Sequence, residues 1–170
     1  RYPARLRDNA SLRRESGYLS EGVLSDLTLS DAVGYDDAWA QDQVHLVCFS
    51  DARDCVIHNV GSFASPHPGN TGYHLQSGGV LIQGSKRVTV ADCTLEKAQN
   101  RGSGGNGYLF EVRQSGEILF HDCVAREGRH NFIQNWDFGA TGIVWLRCES
   151  TGGRAVTRVG DVEIEKDAYS

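Results

Sequence analysis

The stretch GYLFEVRQSGEILFHDC (107–123), followed directly by VAREGRHNFIQNWDFGATGIVWLRC (124–148), contains two copies of one pattern. Each copy has an apolar first strand, a short turn with glycine, and a second strand that ends in cysteine. The aligned positions are Ile118 with Ile143, Phe120 with Trp145, and Cys123 with Cys148. A repeat of this kind decides the architecture, because each repeated unit packs mainly against its neighbours.

The second-strand pattern recurs along most of the chain, in blocks that start 25 to 33 residues apart. In each block apolar and polar residues alternate, which predicts a half-buried strand. The aligned apolar positions predict two columns, Leu27/Cys55/Val88/Ile118/Ile143 and Leu29/Ile57/Val90/Phe120/Trp145. A weaker sixth unit follows at 155–165, with a turn at Gly160 and Asp161.

Two further columns close the blocks. The first consists of Asp31, Asn59, Asp92 and Asp122, side-chain types that tolerate turn conformations and bond local backbone groups. The second consists of Cys93, Cys123 and Cys148. Packing of small apolar side chains explains the cysteine column, and a disulfide between adjacent units is the alternative that the spacing also allows.

A unit of this length cannot bury its own apolar face, but stacked units can, with like strands about 4.8 Å apart. The pattern therefore predicts an all-β solenoid of about five to six turns over 23–170, preceded by an N-terminal capping or linker segment, 1–22. A doubly wound α/β fold needs amphipathic crossover helices, which these Gly-, Ser- and Asn-rich connections do not provide. An antiparallel sandwich would not explain the aligned columns.

Composition excludes some classes of partner. A net charge of −5 and a pI near 5.6 argue against nucleic acid as a partner. No apolar run is long enough for a membrane span. The sequence has no secretory signal and no Met, and it opens on Arg1, so we expect that a leader or a longer N-terminal region precedes it.

The strand ends of the form apolar-x-apolar-x-Asp-Cys, with GNGYLFEV and GRHNFIQNW, resemble repeats of the right-handed parallel β-helix proteins of the pectate-lyase-like superfamily over about 23–165. The resemblance implies a right-handed coil from a secreted bacterial protein, extracellular or periplasmic. Neighbouring domains or chains are expected to cap the coil. It also implies a polysaccharide as partner, in a groove on the outer face of the first-strand sheet, although one scaffold hosts many functions.

On that face the alternation predicts that Leu109, Glu111 and Arg113 point outward, and His45 either joins them or is buried. A polysaccharide lyase needs a base to remove a proton alpha to a carboxylate and a cation to stabilise the enolate. The candidate catalytic residues are Glu111, Arg113, Arg129, His130 and Asp137. Arg126 is a further candidate for early testing, and Asn135 is predicted to bind substrate. The alternative is that His130 and Asn131 only cap the turn.

Two loops add substrate-binding candidates: His67, Tyr73 and His74 in one, and Trp39 in the other. Each loop could equally be a solvated excursion. No metal site and no cofactor are predicted. Ca²⁺ near Asp36, Asp37 and Asp42 is an alternative that no EF-hand-like spacing supports.

Two functions remain open. The first is a carbohydrate-active enzyme, a polysaccharide lyase acting on an acidic polysaccharide rather than a glycoside hydrolase, whose usual carboxylate signatures are missing. The second is a non-catalytic polysaccharide-binding, adhesive or structural β-helix module. The sequence does not decide whether the protein is an enzyme.

Overall fold

The computed structural model describes residues 16–32, 43–69, 71–102, 105–134 and 139–153, and the backbone alone of 156–159 and 162–165. Every regular element in these ranges is a β-strand. Most of the predicted N-terminal segment 1–22 lies outside them, so its capping role stays a prediction.

The strands form two main parallel sheets and one hairpin. Their bounds are β1 Leu19–Ser20, β2 Val23–Leu29, β3 His45–Ser50, β4 Ala52–Ser62, β5 Gly78–Gln83, β6 Lys86–Ala91, β7 Thr94–Glu96, β8 Tyr108–Arg113, β9 Gly116–His121, β10 Val124–Arg126, β11 His130–Gln134, β12 Thr141–Leu146, β13 Glu149–Thr151, β14 Val156–Val159 and β15 Val162–Glu165. Sheet A runs β12-β9-β6-β4-β7-β10-β13, with β1 and β2 also paired to β4, and sheet B runs β11-β8-β5-β3.

The chain winds as a parallel β-helix, which confirms the predicted fold class. Three successive turns have three strands each, β5–β7, β8–β10 and β11–β13, and the turn before them consists of β3 and the long β4. The coil therefore has about three complete turns, fewer than the five to six predicted. One reason is that the predicted sixth unit is an antiparallel hairpin of β14 and β15 rather than another turn.

The register confirms four of the five predicted blocks. Cys55, Val88, Ile118 and Ile143 lie side by side, as do Ile57, Val90, Phe120 and Trp145. The first block was placed wrongly, because Leu27 pairs with Val60 and Leu29 with Ser62. An alternating run ends at Asp26 as well as at Asp31, so the sequence is compatible with two registers five residues apart.

Stacked left-handed residues bend the coil at its corners. One column is Asp26, Asn59, Asp92, Asp122 and Arg147, with φ between 51° and 58°. Asp26, rather than the predicted Asp31, belongs to this column, and it accepts a hydrogen bond from Asn59 Nδ2 at 2.8 Å. At the other end of the column Arg147 donates to Asp122 at 2.7 and 2.6 Å. Bonds between neighbouring turns thus offset the cost of a conformation that non-glycine residues rarely adopt.

The core lies inside the coil and contains a run of aromatic rings. Phe110 stacks on Phe132 at 5.1 Å between centroids, and Phe120 stacks on Trp145 at 4.2 Å. The cysteine column belongs to this interior: Cys93 and Cys123 are completely buried, and all five cysteines are free thiols. The packing interpretation of the column is therefore the one that the structure supports.

Candidate functional site

The first residues of the sheet B strands form one row across four strands. His45 of β3 is in register with Gly78 of β5, and Tyr108 of β8 with His130 of β11. Gly78 lies beside Tyr108, because β5 and β8 pair two residues further on. A Cβ atom on Gly78 would lie 2.5 Å from Cδ2 of His45, so the imidazole fills the space that a side chain there would need. The absence of a side chain at Gly78 therefore leaves the space that the His45 ring occupies.

Glu111 lies three residues further along, in a row that consists of Cys48, Leu81, Glu111 and Ile133. None of these four belongs to the core cluster inside the coil, so the row faces outward, as predicted for Glu111. The Glu111 side chain is nevertheless 0% exposed. The predicted open groove is therefore not found at this residue.

Three polar side chains form a network around the Glu111 carboxylate. His45 Nε2 lies 2.9 Å from Oε2, and Arg113 Nε donates to Oε1 at 2.6 Å. The same guanidinium donates to Gln43 Oε1 at 2.7 Å. A buried carboxylate requires such partners, because removing one of them leaves a charge without compensation, at a cost of about 3–5 kcal/mol. The network thus fixes Arg113 and His45 in place.

Tyr108 and His130 meet beside this network. Their ring centroids are 5.2 Å apart in an edge-on arrangement, and Arg129 Cζ lies 5.8 Å from the Tyr108 centroid. Both rings are less than a tenth exposed. Burial raises the pKa of the Tyr108 hydroxyl, the Glu111 carboxylate acts in the same direction, and the arginines 113 and 129 oppose them. The Tyr108 hydroxyl is therefore protonated at neutral pH.

A glycine positions the arginine and the histidine. Gly107 has φ +77°, and its carbonyl oxygen accepts hydrogen bonds from the backbone N–H groups of Arg129 at 2.7 Å and His130 at 3.2 Å. A Cβ atom on Gly107 would lie 2.9 Å from Cβ of Arg129 and 3.1 Å from Cα of Arg101. Arg101 and Arg129 thus pack against the residue that precedes Tyr108, and the Arg129 guanidinium lies over the Tyr108 ring.

The alternative prediction was that His130 and Asn131 only cap the turn before β11. The structure agrees with it for Asn131. Asn131 is completely buried; its Oδ1 accepts from the N–H of Gly128, and its Nδ2 donates to Ser150 Oγ and Thr151 O. Asn131 of β11 therefore bonds the turn at Gly128 on one side and β13 on the other. His130 points to Tyr108 instead.

Other predicted site residues lie elsewhere. His74 is buried, with Nδ1 3.1 Å from Ser62 Oγ, whereas Tyr73 and His67 are exposed, so their loop does not present the three side chains together. Leu109, predicted to point outward, belongs to the core, and its side chain lies in the space that Gly128 leaves. Trp39, Asn135 and Asp137 lie outside the described residues, as do the candidate calcium ligands Asp36, Asp37 and Asp42.

Arg126, the further candidate named from the sequence, lies away from Tyr108, Arg129 and His130. It donates to Glu96 at 2.7 Å and to Glu149 at 2.8 Å, on the outer face of β7, β10 and β13. The left-handed residue Glu127, with φ 58°, lies between Arg126 and Arg129 and turns the chain to another side of the coil. Nearness in sequence was therefore misleading here.

No family model matches the chain, and no curated protein does. The parallel β-helix is thus established by the strand pairing, and membership of the pectate-lyase-like superfamily stays a prediction. In the described parts of the chain no group of three or more His, Cys, Asp and Glu side chains is placed to hold a metal ion. The described residues also include no helix that is long and apolar enough to cross a membrane.

Sequence reasoning did not propose Tyr108, because the alternation that points Leu109, Glu111 and Arg113 outward places Tyr108 on the inner face. Alignment of the first strands by their starting residues would have shown His45, Tyr108 and His130 in one row. No sequence pattern indicates that Gly78 leaves space for His45, because this depends on which neighbouring side chain lies over the glycine.

Proposed function

We propose that this chain is a carbohydrate-active β-helix protein of the pectate-lyase-like type, which acts on an acidic polysaccharide at the Tyr108–His130–Arg129 cluster. The observation that supports it is the contact between Tyr108 and His130 from adjacent turns, 5.2 Å between centroids, with Arg129 against the tyrosine ring. The cluster combines two groups that can transfer protons with a cation, and it lies beside a buried network that fixes its surroundings.

The proposed reaction is a β-elimination on a uronate residue. His130 removes the proton alpha to the carboxylate, and the electron pair of that C–H bond forms the new C=C bond. The glycosidic C–O bond breaks, and the protonated Tyr108 hydroxyl gives its proton to the leaving oxygen. Arg129 binds the carboxylate and stabilises the charge that develops on it.

Glu111 and Arg113 have a different role in this proposal from the catalytic one first predicted for them. Glu111 is 0% exposed and is engaged with His45 and Arg113, so it acts as a positioning residue. Arg113, with its side chain 20% exposed, adds positive charge next to Tyr108. Secretion, a bacterial source and neighbouring domains belong to the same proposal and rest on the repeat resemblance alone.

A specific observation also favours the second function, a non-catalytic polysaccharide-binding module. Glu111 is buried in hydrogen bonds that join different turns, and the Tyr108 and His130 side chains are almost enclosed. In this second function the arginines bind the carboxylates of the polymer and no bond is broken.

The experiment that separates the two functions measures cleavage and binding on the same samples. The protein is incubated with polygalacturonate, alginate and chondroitin sulfate, with and without Ca²⁺, and the absorbance of the unsaturated product is followed. Binding is measured by affinity electrophoresis. We expect cleavage of at least one polymer, lost in Tyr108→Phe and His130→Ala but kept in Arg126→Ala, the matched arginine that lies outside the cluster.

Binding without any absorbance change would support the module. No binding and no cleavage of any acidic polymer would overturn both functions. An Arg129→Ala variant that binds as tightly as the wild type would remove Arg129 from either one.

A further inference from the structure

A groove on the outside of the coil is formed by β2, β4 and β7, away from the Tyr108–His130–Arg129 cluster. Its cavity volume is about 370 Å³. Apart from Leu27 and Val60, the lining residues are Asp26, Thr28, Asn59, Gly61, Asp92 and Thr94. They come from three neighbouring turns, so the groove runs along the coil axis.

Gly61 leaves a notch in the lining of this groove. It is in register with Thr28 on one side and with Thr94 on the other, so a position without a side chain lies between two threonines about 4.8 Å away. Its φ is not positive, and a Cβ atom would find only ordinary contacts, 3.4 Å to Thr28 Cγ2 and 3.8 Å to Thr94 O. The backbone conformation does not require glycine here. The effect of Gly61 is to leave space between the two threonine side chains.

Beside this notch, the groove is lined by Asp26, Asn59 and Asp92, which belong to the column of left-handed residues. Asn59 donates to Asp26, and Asp92 Oδ2 lies 3.3 Å from His58 Nε2. The hydrogen bond from Asn59 holds the pKa of the Asp26 carboxyl below its usual range, so this group is ionised and accepts hydrogen bonds at neutral pH. A carboxylate accepts more hydrogen bonds than these neighbours supply, which leaves acceptor positions for hydroxyl groups in the groove.

Charge and shape select the class of ligand. Two lining residues are acidic and none is basic, so an anionic sugar is disfavoured here by like charge. Oriented carboxylate and amide acceptors beside threonine hydroxyls suit an uncharged ligand with many hydroxyl groups.

We infer that this groove over Gly61 is a binding site for a neutral glycan. The site is independent of the proposed elimination centre, which lies at arginines and takes a carboxylate. The two sites would allow the coil to hold the uncharged and the acidic portions of a polysaccharide on different sides.

The test titrates the full chain with uncharged hexasaccharides of glucose (β-1,4), xylose and mannose, and with hexagalacturonate as the acidic comparison, by calorimetry and by amide chemical shifts. We expect at least one neutral hexasaccharide to bind and to shift the amide signals of Gly61 and Thr94. In Gly61→Leu, which fills the notch, the affinity should fall at least tenfold. The matched control is Gly116→Leu on β9, where a Cβ atom would also find only ordinary contacts, at 3.7 Å to Thr141, and its affinity should not change.

Failure of this inference is distinct from failure of the proposed function. No binding of any neutral hexasaccharide to the wild-type chain would overturn the inference, as would equal losses in Gly61→Leu and Gly116→Leu. If Gly61→Leu does not fold by circular dichroism, Thr94→Val removes one hydroxyl from the groove without changing shape, and unchanged affinity in that variant would also overturn it. His130→Ala should bind neutral glycan like the wild type, whatever it does to cleavage.

Discussion

His45 and Glu111 are in contact although a whole strand lies between them. Their side chains meet at 2.9 Å, yet β5 separates β3 from β8 in sheet B. Neighbouring strands lie about 4.8 Å apart, so the imidazole reaches across an entire turn, over the position of Gly78. Sheet B is therefore held together by side chains as well as by its backbone ladder.

This relationship predicts the effect of adding one methyl group at Gly78. In Gly78→Ala the new Cβ would lie 2.5 Å from the His45 ring, so the ring has to move and the pair with the buried Glu111 breaks. We expect a loss of about 3 kcal/mol in the free energy of unfolding, measured by urea denaturation. Gly72→Ala is the control, since a Cβ there meets nothing within 4 Å. Equal stability of the two variants would contradict the account.

Protonation of the buried His74 should lower the free energy of unfolding in mild acid. Burial lowers the pKa of its imidazole from 6.5, so the unfolded state binds a proton more readily than the folded state does. The contribution of His74 is complete above pH 6.5 and is lost as the pH falls below it. The groups that face it are Ser62 Oγ, Glu96, Lys97 and Glu127.

The measurement is thermal unfolding between pH 7.5 and pH 5. We expect the melting temperature of His74→Gln to depend less on pH over this interval than that of the wild type. A His67→Gln variant, altered at the exposed histidine of the same loop, should follow the wild-type curve. Parallel curves for wild type and His74→Gln would show that the buried imidazole does not contribute.

Arg147 tests the corner column. Its φ is 52° and it donates twice to Asp122. Arg147→Ala keeps the unfavourable left-handed conformation and loses the ion pair, so its melting temperature should fall slightly. Arg147→Gly loses the same pair but relieves the backbone, so it should melt above Arg147→Ala. The reverse order would mean that the corner conformation costs little.

The five free thiols should differ strongly in reactivity. Cys48 is exposed, whereas Cys93 and Cys123 are buried, and the hydrogen bond to the Cys93 sulfur, together with burial, raises the pKa of the Cys123 thiol. With a disulfide reagent at pH 8 we expect Cys48 to react first and these two only after unfolding. Cys48→Ser is the control, because it should remove the fast phase. Fewer than five thiols in denaturant without reductant would indicate a disulfide instead.

The sequence predicted the coil well where like residues stack and less well where a side chain crosses between turns. The column Ile57, Val90, Phe120 and Trp145 was recognisable because in-register stacking places the same kind of residue at the same position. The register of β2 was not, since two similar alternating runs adjoin each other. Polar residues near Glu111 and His130 were expected, but their partners depend on three-dimensional details such as the missing side chain of Gly78.

The corner columns also explain how such a chain can change. After β7 the path to β8 takes 97–107, whereas after β10 the path to β11 takes only 127–129. Both start at a left-handed residue, Lys97 or Glu127, whose N–H is bonded to the next turn. Because backbone bonds rather than connection length set where each turn begins, this side of the coil can gain or lose residues without shifting the stack. New binding surfaces can therefore evolve in these connections while the coil beneath them is conserved.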